Sequence, residues 1–80
     1  MSVHSNIVHK YFKNELEDSK ILVKVNPVHL TGVEMIVHKD GQLETRQLEF
    51  DETIWDDLAV DGFVEVSPME FNLHLSGLIK

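Results

Sequence analysis

Cysteine is absent from the 80 residues of the sequence. This absence excludes disulfides, thiolate zinc sites, iron–sulfur clusters and thiol nucleophiles, and it favours a reducing compartment such as the cytoplasm. Long hydrophobic runs are missing as well, since no run of strongly apolar residues exceeds the three of Ile21-Leu22-Val23. The opening residues MSVHSN are polar and hold no hydrophobic signal core. We therefore expect a cytoplasmic protein that neither spans nor enters a membrane.

Catalytic signatures are also missing. No serine lies in a G-x-S-x-G elbow, and the sequence has neither a glycine-rich phosphate loop nor a dinucleotide-binding fingerprint. A chain of this length leaves little room for a cavity of about 300 Å³ beside a core. The sequence therefore predicts a protein that is not an enzyme and that binds no cofactor.

Basic residues are scarce, because seven Lys and Arg stand against 14 Asp and Glu, giving a formal net charge of -7. The excess is uneven along the chain. Residues 1–40 carry five acids and five lysines, whereas residues 41–80 carry nine acids against only Arg46 and Lys80. With no basic stripe to displace counterions from phosphate, the sequence argues against direct binding to nucleic acid.

The residues that are present indicate a small folded domain. An apolar fraction of 42% is ordinary for a globular protein and too high for a disordered acidic tail. A chain of this size buries only about 60% of the surface that its unfolded form exposes, so one core is expected. We predict a single domain over residues 1–80, with residues 1–5 flexible.

The first predicted element is a helix over residues 6–17. Its apolar side chains recur at helical intervals, and they are Ile7, Val8, Tyr11, Phe12 and Leu16. A strand competes, since polar and apolar residues also alternate here. The two faces of that strand would be similar in polarity, whereas a half-buried strand needs one clearly apolar face.

Residues 20–26 predict a strand, and a hairpin follows around the sequence HKDGQ. A three-residue loop, Lys39-Asp40-Gly41, with Gly41 in the left-handed conformation places Val37 opposite Leu43 and Glu34 opposite Arg46. In this register Leu48 and Phe50 fall on the opposite face from Leu43. We therefore predict a second bulge near Arg46 or Gln47, or else a strand buried on both faces.

Two further helices are predicted. Asp51 stands in the position of a cap before a helix over 52–60, and Ser67-Pro68-Met69-Glu70 has the form of a capping box before a helix over 68–76. A strand competes with this last helix, because Met69, Phe71, Leu73 and Leu75 alternate with other residues. Residues 63–66 between them can add a brief strand. The predicted fold class is α+β, with a small antiparallel sheet of three to four strands and two to three helices packed on one face.

Five histidines suggest a test for metal binding. No pair of them has the spacing of three or four that a helical zinc site requires. His29, His38 and His74 could meet only through tertiary structure, so a metal-dependent subunit remains an alternative. We expect polar surface histidines and no metal, and the acidic segment 51–62 lacks the ligand pattern of a calcium loop.

The remaining conspicuous feature is a tryptophan among acids. Trp55 either packs its helix on the sheet or forms an anchor for a basic protein partner, since Trp is enriched at the centres of interfaces. The candidate protein-binding residues are Asp51, Glu52, Trp55, Asp56, Asp57 and Asp61. The leading hypothesis is a small acidic binding or adaptor module. The alternatives are a structural homodimer, for example through an edge strand at 20–26, and an acidic mimic of nucleic acid.

Overall fold

A computed structural model describes residues 8–75 of the chain, with side chains up to Leu73. The segment 1–5, which the sequence predicts to be flexible, lies outside this range. The elements in chain order are β1 (Lys10–Glu15), β2 (Ser19–Asn26), β3 (Thr31–His38), β4 (Leu43–Glu49), α1 (Ile54–Val60), β5 (Val64–Val66) and α2 (Pro68–Leu75). Neither helix within 8–75 has the length and apolarity needed to cross a membrane.

The strands form one antiparallel sheet in the order β4-β3-β2-β1-β5. The fold is therefore α+β, as predicted, but the sheet has five strands and the described residues contain two helices. β2 pairs with β1 on one side and with β3 on the other. The expectation that residues 20–26 form an edge strand for dimerisation is therefore wrong, because this segment lies in the middle of the sheet.

The prediction of a helix over residues 6–17 is wrong for the described part of that segment, which forms β1. Tyr11 is buried on one face of the sheet, against Phe71, and the half-buried Phe12 packs on the other face, near Val23. β1 lies between β2 and β5, and both of its faces are partly covered. A strand in this position needs apolar residues on both sides, which is the symmetry that the sequence argument took as evidence against a strand.

The two helices lie on opposite faces of the sheet, so the prediction that the helices share one face is also wrong. On one face, Phe71 of α2 packs with Leu22 and Met35. On the other, Ile54 and Leu58 of α1 form the second cluster, which includes the side chains of β2 that alternate with Leu22, namely Val23 and Val25. The sheet thus separates two small cores.

The β3–β4 hairpin has the predicted register. Val37 lies opposite Leu43 and Glu34 opposite Arg46. Gly41 has a φ of 94°, and its N–H donates to the carbonyl of His38 at 2.9 Å, as in a type I turn followed by a left-handed glycine.

The predicted second bulge is absent, since the pairing of β3 with β4 runs without interruption from Val37–Leu43 to Thr31–Glu49. Leu48 and Phe50 fall on the α1 face of the sheet, and Phe50 packs against the cluster of α1. Leu48 and Phe50 can lie on the face opposite Leu43 without a bulge, because each face of this sheet carries an apolar cluster. β4 itself remains mostly exposed.

The remaining predicted elements agree with the structure within two residues. The helix predicted over 52–60 begins at Ile54, and the brief strand is β5. α2 begins at Pro68, as predicted. Glu70, which was expected to complete a capping box, has its carboxylate 2.7 Å from Nζ of Lys13 on β1.

Candidate protein-binding surface

All six predicted binding residues lie on α1 or directly beside it. We call them the acidic surface, and they are Asp51, Glu52, Trp55, Asp56, Asp57 and Asp61. Ile54 and Leu58, four residues apart, are buried and hold α1 against the sheet. The intervening side chains of Asp56 and Asp57 are exposed, and Trp55 between them and Ile54 is partly exposed.

The amino-terminal end of α1 is organised by Asp51. Its Oδ1 accepts a hydrogen bond from the backbone N–H of Thr53 at 3.0 Å, which closes a turn before the helix. The Thr53 hydroxyl lies 2.5 Å from the same oxygen and 3.1 Å from Oδ2 of Asp57, so it donates to one carboxylate at a time. The hydroxyl and backbone hydrogen bonds from Thr53 lower the pKa of Asp51 below its ordinary value. Asp51 therefore has a structural role besides its charge.

The carboxyl-terminal end of α1 is attached to β1. The carbonyl of Asp61 accepts a hydrogen bond from the side-chain amide of Asn14 at 3.0 Å. Gly62 follows with a φ of 92°, which is suited to the chain reversal after the helix. The backbone of Asp61 is thus fixed, while its side chain is exposed.

Trp55 packs against the sheet and is also partly exposed. Its ring packs on Phe12 of β1, with centroids 6.0 Å apart and planes tilted by 49°. It is also 36% exposed, so a substantial part of the indole is accessible. The inner side of Trp55 fixes it on the sheet, and the outer side presents an aromatic surface of restricted orientation among carboxylates.

The acids of this surface differ from most other acids in residues 8–75 in their lack of cationic partners. Five acids elsewhere in that range pair with lysine or arginine, and Glu44 forms an ion pair with His38 when that imidazole is protonated. The pairs are Lys10–Glu65, Lys13–Glu15, Lys13–Glu70, Lys39–Asp18, His38–Glu44 and Arg46–Glu34. Within the described part of the chain, no acid between residues 51 and 61 takes part in such a pair, and the others without one are Glu17, Asp40 and Glu49. Because those three lie apart, in two turns and at the end of β4, the largest group of uncompensated acids is the one on and beside α1.

The histidines do not converge. His29 lies in the turn before β3 and His38 lies at the far end of that strand. An eight-residue strand spans about 23 Å, so a single ion cannot be bound by both, and the proposed three-histidine site is excluded. His38 instead lies 2.6 Å from Oε1 of Glu44. Among the described residues no group of three His, Cys, Asp or Glu side chains is placed to hold a metal ion.

Two recesses open on the surface. One of about 300 Å³ is lined by residues that include His9, Lys24 and Gln47, and the other, of about 230 Å³, lies beside Lys20 and His38. The length of the chain predicted that a cavity of about 300 Å³ would not fit beside the core. The first recess has that volume, but it is open to the surface and is not an enclosed cavity. Neither set of lining residues contains a nucleophile activated by a neighbouring base.

Comparison with known protein families, with curated proteins and with solved structures gives no match to this chain.

The position of β4 at an edge of the sheet was not predicted from the sequence. β4 forms an edge of the sheet with seven residues in register. Its sequence, LETRQLE, is polar at five of seven positions, which fits an exposed strand but does not show where in the sheet the strand lies. The edge position follows only from the order of all five strands.

Proposed function

We propose that this chain is a small protein-binding module without catalytic activity, and that its acidic surface docks a basic region of a partner protein. The observation that carries the proposal is the contrast in ion pairing. Most acids elsewhere in the described residues lie beside a cation of the fold, whereas those between residues 51 and 61 have no cationic partner among the described residues. Such a patch attracts positive charge and increases the rate of encounter.

Trp55 supports the same proposal. Charge steers an encounter, whereas affinity comes from a few desolvated anchors, in which Trp is enriched. The ring of Trp55 is held by Phe12 and is 36% exposed, so little side-chain freedom remains to be lost on binding. The proposal places the protein in a reducing compartment such as the cytoplasm, because the chain has no cysteine.

Trp55 also provides the readout, since it is the only tryptophan in the sequence. The probe is an arginine- and leucine-rich peptide that contains no tryptophan, titrated into the full chain. We expect the emission of Trp55 to change on binding, and we expect the affinity to fall as salt is added. The double variant Asp56→Lys with Asp57→Lys should bind the peptide at least about tenfold more weakly, because attraction becomes repulsion.

The matched control is Glu17→Lys with Asp18→Lys, which reverses two adjacent exposed acids away from α1. It changes the net charge by the same amount and should retain most of the binding. A second variant, Trp55→Ala, followed by peptide anisotropy, should weaken binding with little effect on its salt dependence. Equal losses from both charge-reversal variants would show that net charge alone attracts the peptide, and the acidic surface would then have no special role.

A further inference from the structure

The two edges of the sheet differ in a way that bears on self-association. β5 is an edge of three residues, which is too short to template a further strand well. β4 is an edge of seven residues that lacks proline, lysine and a bulge. Proline, lysine and bulges are among the devices by which proteins prevent an exposed edge from pairing with another strand. β4 is thus a long edge protected only by its charged residues Glu44, Arg46 and Glu49, and Glu44 and Arg46 are of opposite sign.

The backbone groups that β4 offers can be identified from the ends of the hairpin. His38 donates to the carbonyl of Gln42 at 2.8 Å, and Phe50 donates to the carbonyl of Leu30 at 2.7 Å. Hydrogen-bonded positions alternate along an antiparallel strand, so the even-numbered residues from 42 to 50 face β3. The odd-numbered residues direct their N–H and C=O groups away from the sheet, and they are Leu43, Thr45, Gln47 and Glu49.

We propose that β4 pairs with β4 of a second copy of this chain, antiparallel and in the register that places Thr45 opposite Thr45 of the partner subunit. Leu43 and Gln47 then lie opposite the partner's Gln47 and Leu43, and the three residue pairs form about six backbone hydrogen bonds. Glu44 lies opposite the partner's Arg46, and Arg46 opposite the partner's Glu44. The two sheets of five strands become one of ten.

The charges of Glu44 and Arg46 favour this register over the neighbouring registers of the two strands. A two-fold axis requires one residue to lie opposite its own copy. Centring the pair on Arg46 or on Glu44 brings like charges together, which is destabilising. Centring it on Gln47 places Arg46 opposite the partner's Leu48, and centring it on Leu43 runs the pairing into the turn. The Thr45 register alone places Glu44 and Arg46 opposite each other, while the third charge of β4, Glu49, lies opposite the partner's Gly41.

Arg46 and Glu44 each have a polar atom that forms no hydrogen bond within the described residues and can contact the second copy. Nε and Nη2 of Arg46 lie within hydrogen-bonding distance of Oε1 of Glu34, and Nη1 has no such partner among the described residues. Glu44 uses Oε1 with His38, which leaves Oε2. The side chains of Arg46 and Glu44 are 64% and 63% exposed. Each Arg46 would lie between Glu34 and the partner's Glu44, giving a row of alternating charge.

Glu44 and Arg46 occupy non-hydrogen-bonded positions relative to the second copy. Opposite residues at such positions have Cα atoms about 4.5 Å apart, closer than at hydrogen-bonded positions. The complementary charges are therefore in the pairs where side chains approach most closely. Trp55 lies above β1, with β2 and β3 between it and β4, so the proposed pairing does not cover Trp55.

The first test uses complementary charge variants and sedimentation equilibrium. The wild-type chain should dimerise reversibly as concentration rises. Glu44→Arg alone and Arg46→Glu alone should each dimerise at least about tenfold more weakly, since both cross-strand pairs become like-charged. A mixture of the two variants should recover a heterodimer, because each altered position then lies opposite its complement. Failure of the mixture to associate while the wild type dimerises would overturn the proposed register.

The second test uses the backbone. Thr45→Pro removes an N–H that points away from β3, so the β3–β4 pairing should survive while the dimer is lost. Thr45→Val keeps the N–H and should remain dimeric, and circular dichroism of both variants establishes folding. If Thr45→Pro unfolds the chain, concentration-dependent protection of the Leu43 and Gln47 amides from exchange replaces it. A wild-type chain that stays monomeric at every accessible concentration would overturn the proposal.

Discussion

The two helices of this protein pack on opposite faces of one sheet by similar means, but they use their charges differently. α2 is anchored by Phe71, which is 2% exposed, and α1 by Ile54 and Leu58. On α2, Glu70 forms an ion pair with Lys13 of β1 at 2.7 Å. That contact is the main reason that the pKa of Lys13 lies above its ordinary value, with a further contribution from Glu15. The exposed acids of α1 have no such cationic partner within residues 8–75.

This difference separates charge that supports the fold from charge that is available to other molecules. A carboxylate held by an ammonium within the fold has little further attraction for a partner. A carboxylate that faces only water and other acids slightly destabilises the folded state and attracts cations from outside. The comparison predicts that substitutions on α2 mainly affect stability, whereas substitutions of the α1 acids mainly affect binding.

The largest expected effect is the loss of the α2 anchor. Phe71→Ala should lower the free energy of unfolding by about 3–5 kcal/mol, because it removes a fully buried ring and leaves a cavity against Leu22 and Met35. Urea denaturation followed by circular dichroism measures the change. Phe71→Leu serves as the milder control and should cost less. A loss below about 1 kcal/mol would show that α2 contributes little to the core.

The corresponding change on α1 should have a somewhat smaller effect. Leu58→Ala is expected to lower the free energy of unfolding by about 2–4 kcal/mol, because Leu58 is buried but its neighbours Phe12 and Phe50 are only partly buried and can relax into the space. Urea denaturation followed by Trp55 emission and by circular dichroism tests whether the two probes coincide. If α1 detaches before the sheet unfolds, the fluorescence transition will come first, and the two cores will have proved independent.

Charge substitutions should show the difference between α1 and α2 most clearly. Glu70→Gln is expected to cost about 0.2–1 kcal/mol, since it removes the partner of Lys13 from a site where both side chains are less than one third exposed. Asp56→Asn, the matched change on α1, should change stability less than Glu70→Gln, because the loss of its interaction with the amino-terminal end of the helix is offset by reduced repulsion among the α1 acids. Thermal denaturation at low salt measures both. Equal losses from the two variants would remove the distinction between paired and available charge.

The hairpin and the later elements were predictable from local signals. The combination of Gly41 with the alternation of apolar and polar residues specified the β3–β4 register, including the Glu34–Arg46 contact. Pro68 and the residues around it marked the start of α2. These features depend on interactions within a few residues or across one turn, which sequence patterns reflect directly.

The errors share one physical cause, which is that the sheet is covered on both faces. The segment of β1 was predicted as a helix because its apolar residues recur at helical intervals and the two faces of a strand would be similar in polarity. For β4 a bulge, or else a strand buried on both faces, was predicted because Leu48 and Phe50 change face relative to Leu43. Only the tertiary arrangement places one helix on each face and makes both patterns suitable for strands. The composition of the acidic surface could be read from residues 51–61, but its lack of cationic partners required the positions of Lys10, Lys13 and Arg46.

The smallest expected effect concerns the turn that positions α1. Hydrogen bonds from Thr53 keep the pKa of Asp51 below its ordinary value of 3.8. Because the pKa is lower in the folded state, the stabilisation is present above pH 3.8 and is lost as the pH falls through the folded value. Thr53→Ala removes the hydroxyl and should raise the pKa of Asp51 toward the ordinary value, as measured by NMR titration of its carboxyl group.

Thr53→Ser provides the control for this titration, because it keeps the hydroxyl and should leave the pKa of Asp51 low. If Thr53→Ala leaves the pKa of Asp51 unchanged as well, the hydroxyl is not what stabilises the ionised carboxylate, and the backbone N–H of Thr53 must supply the stabilisation alone.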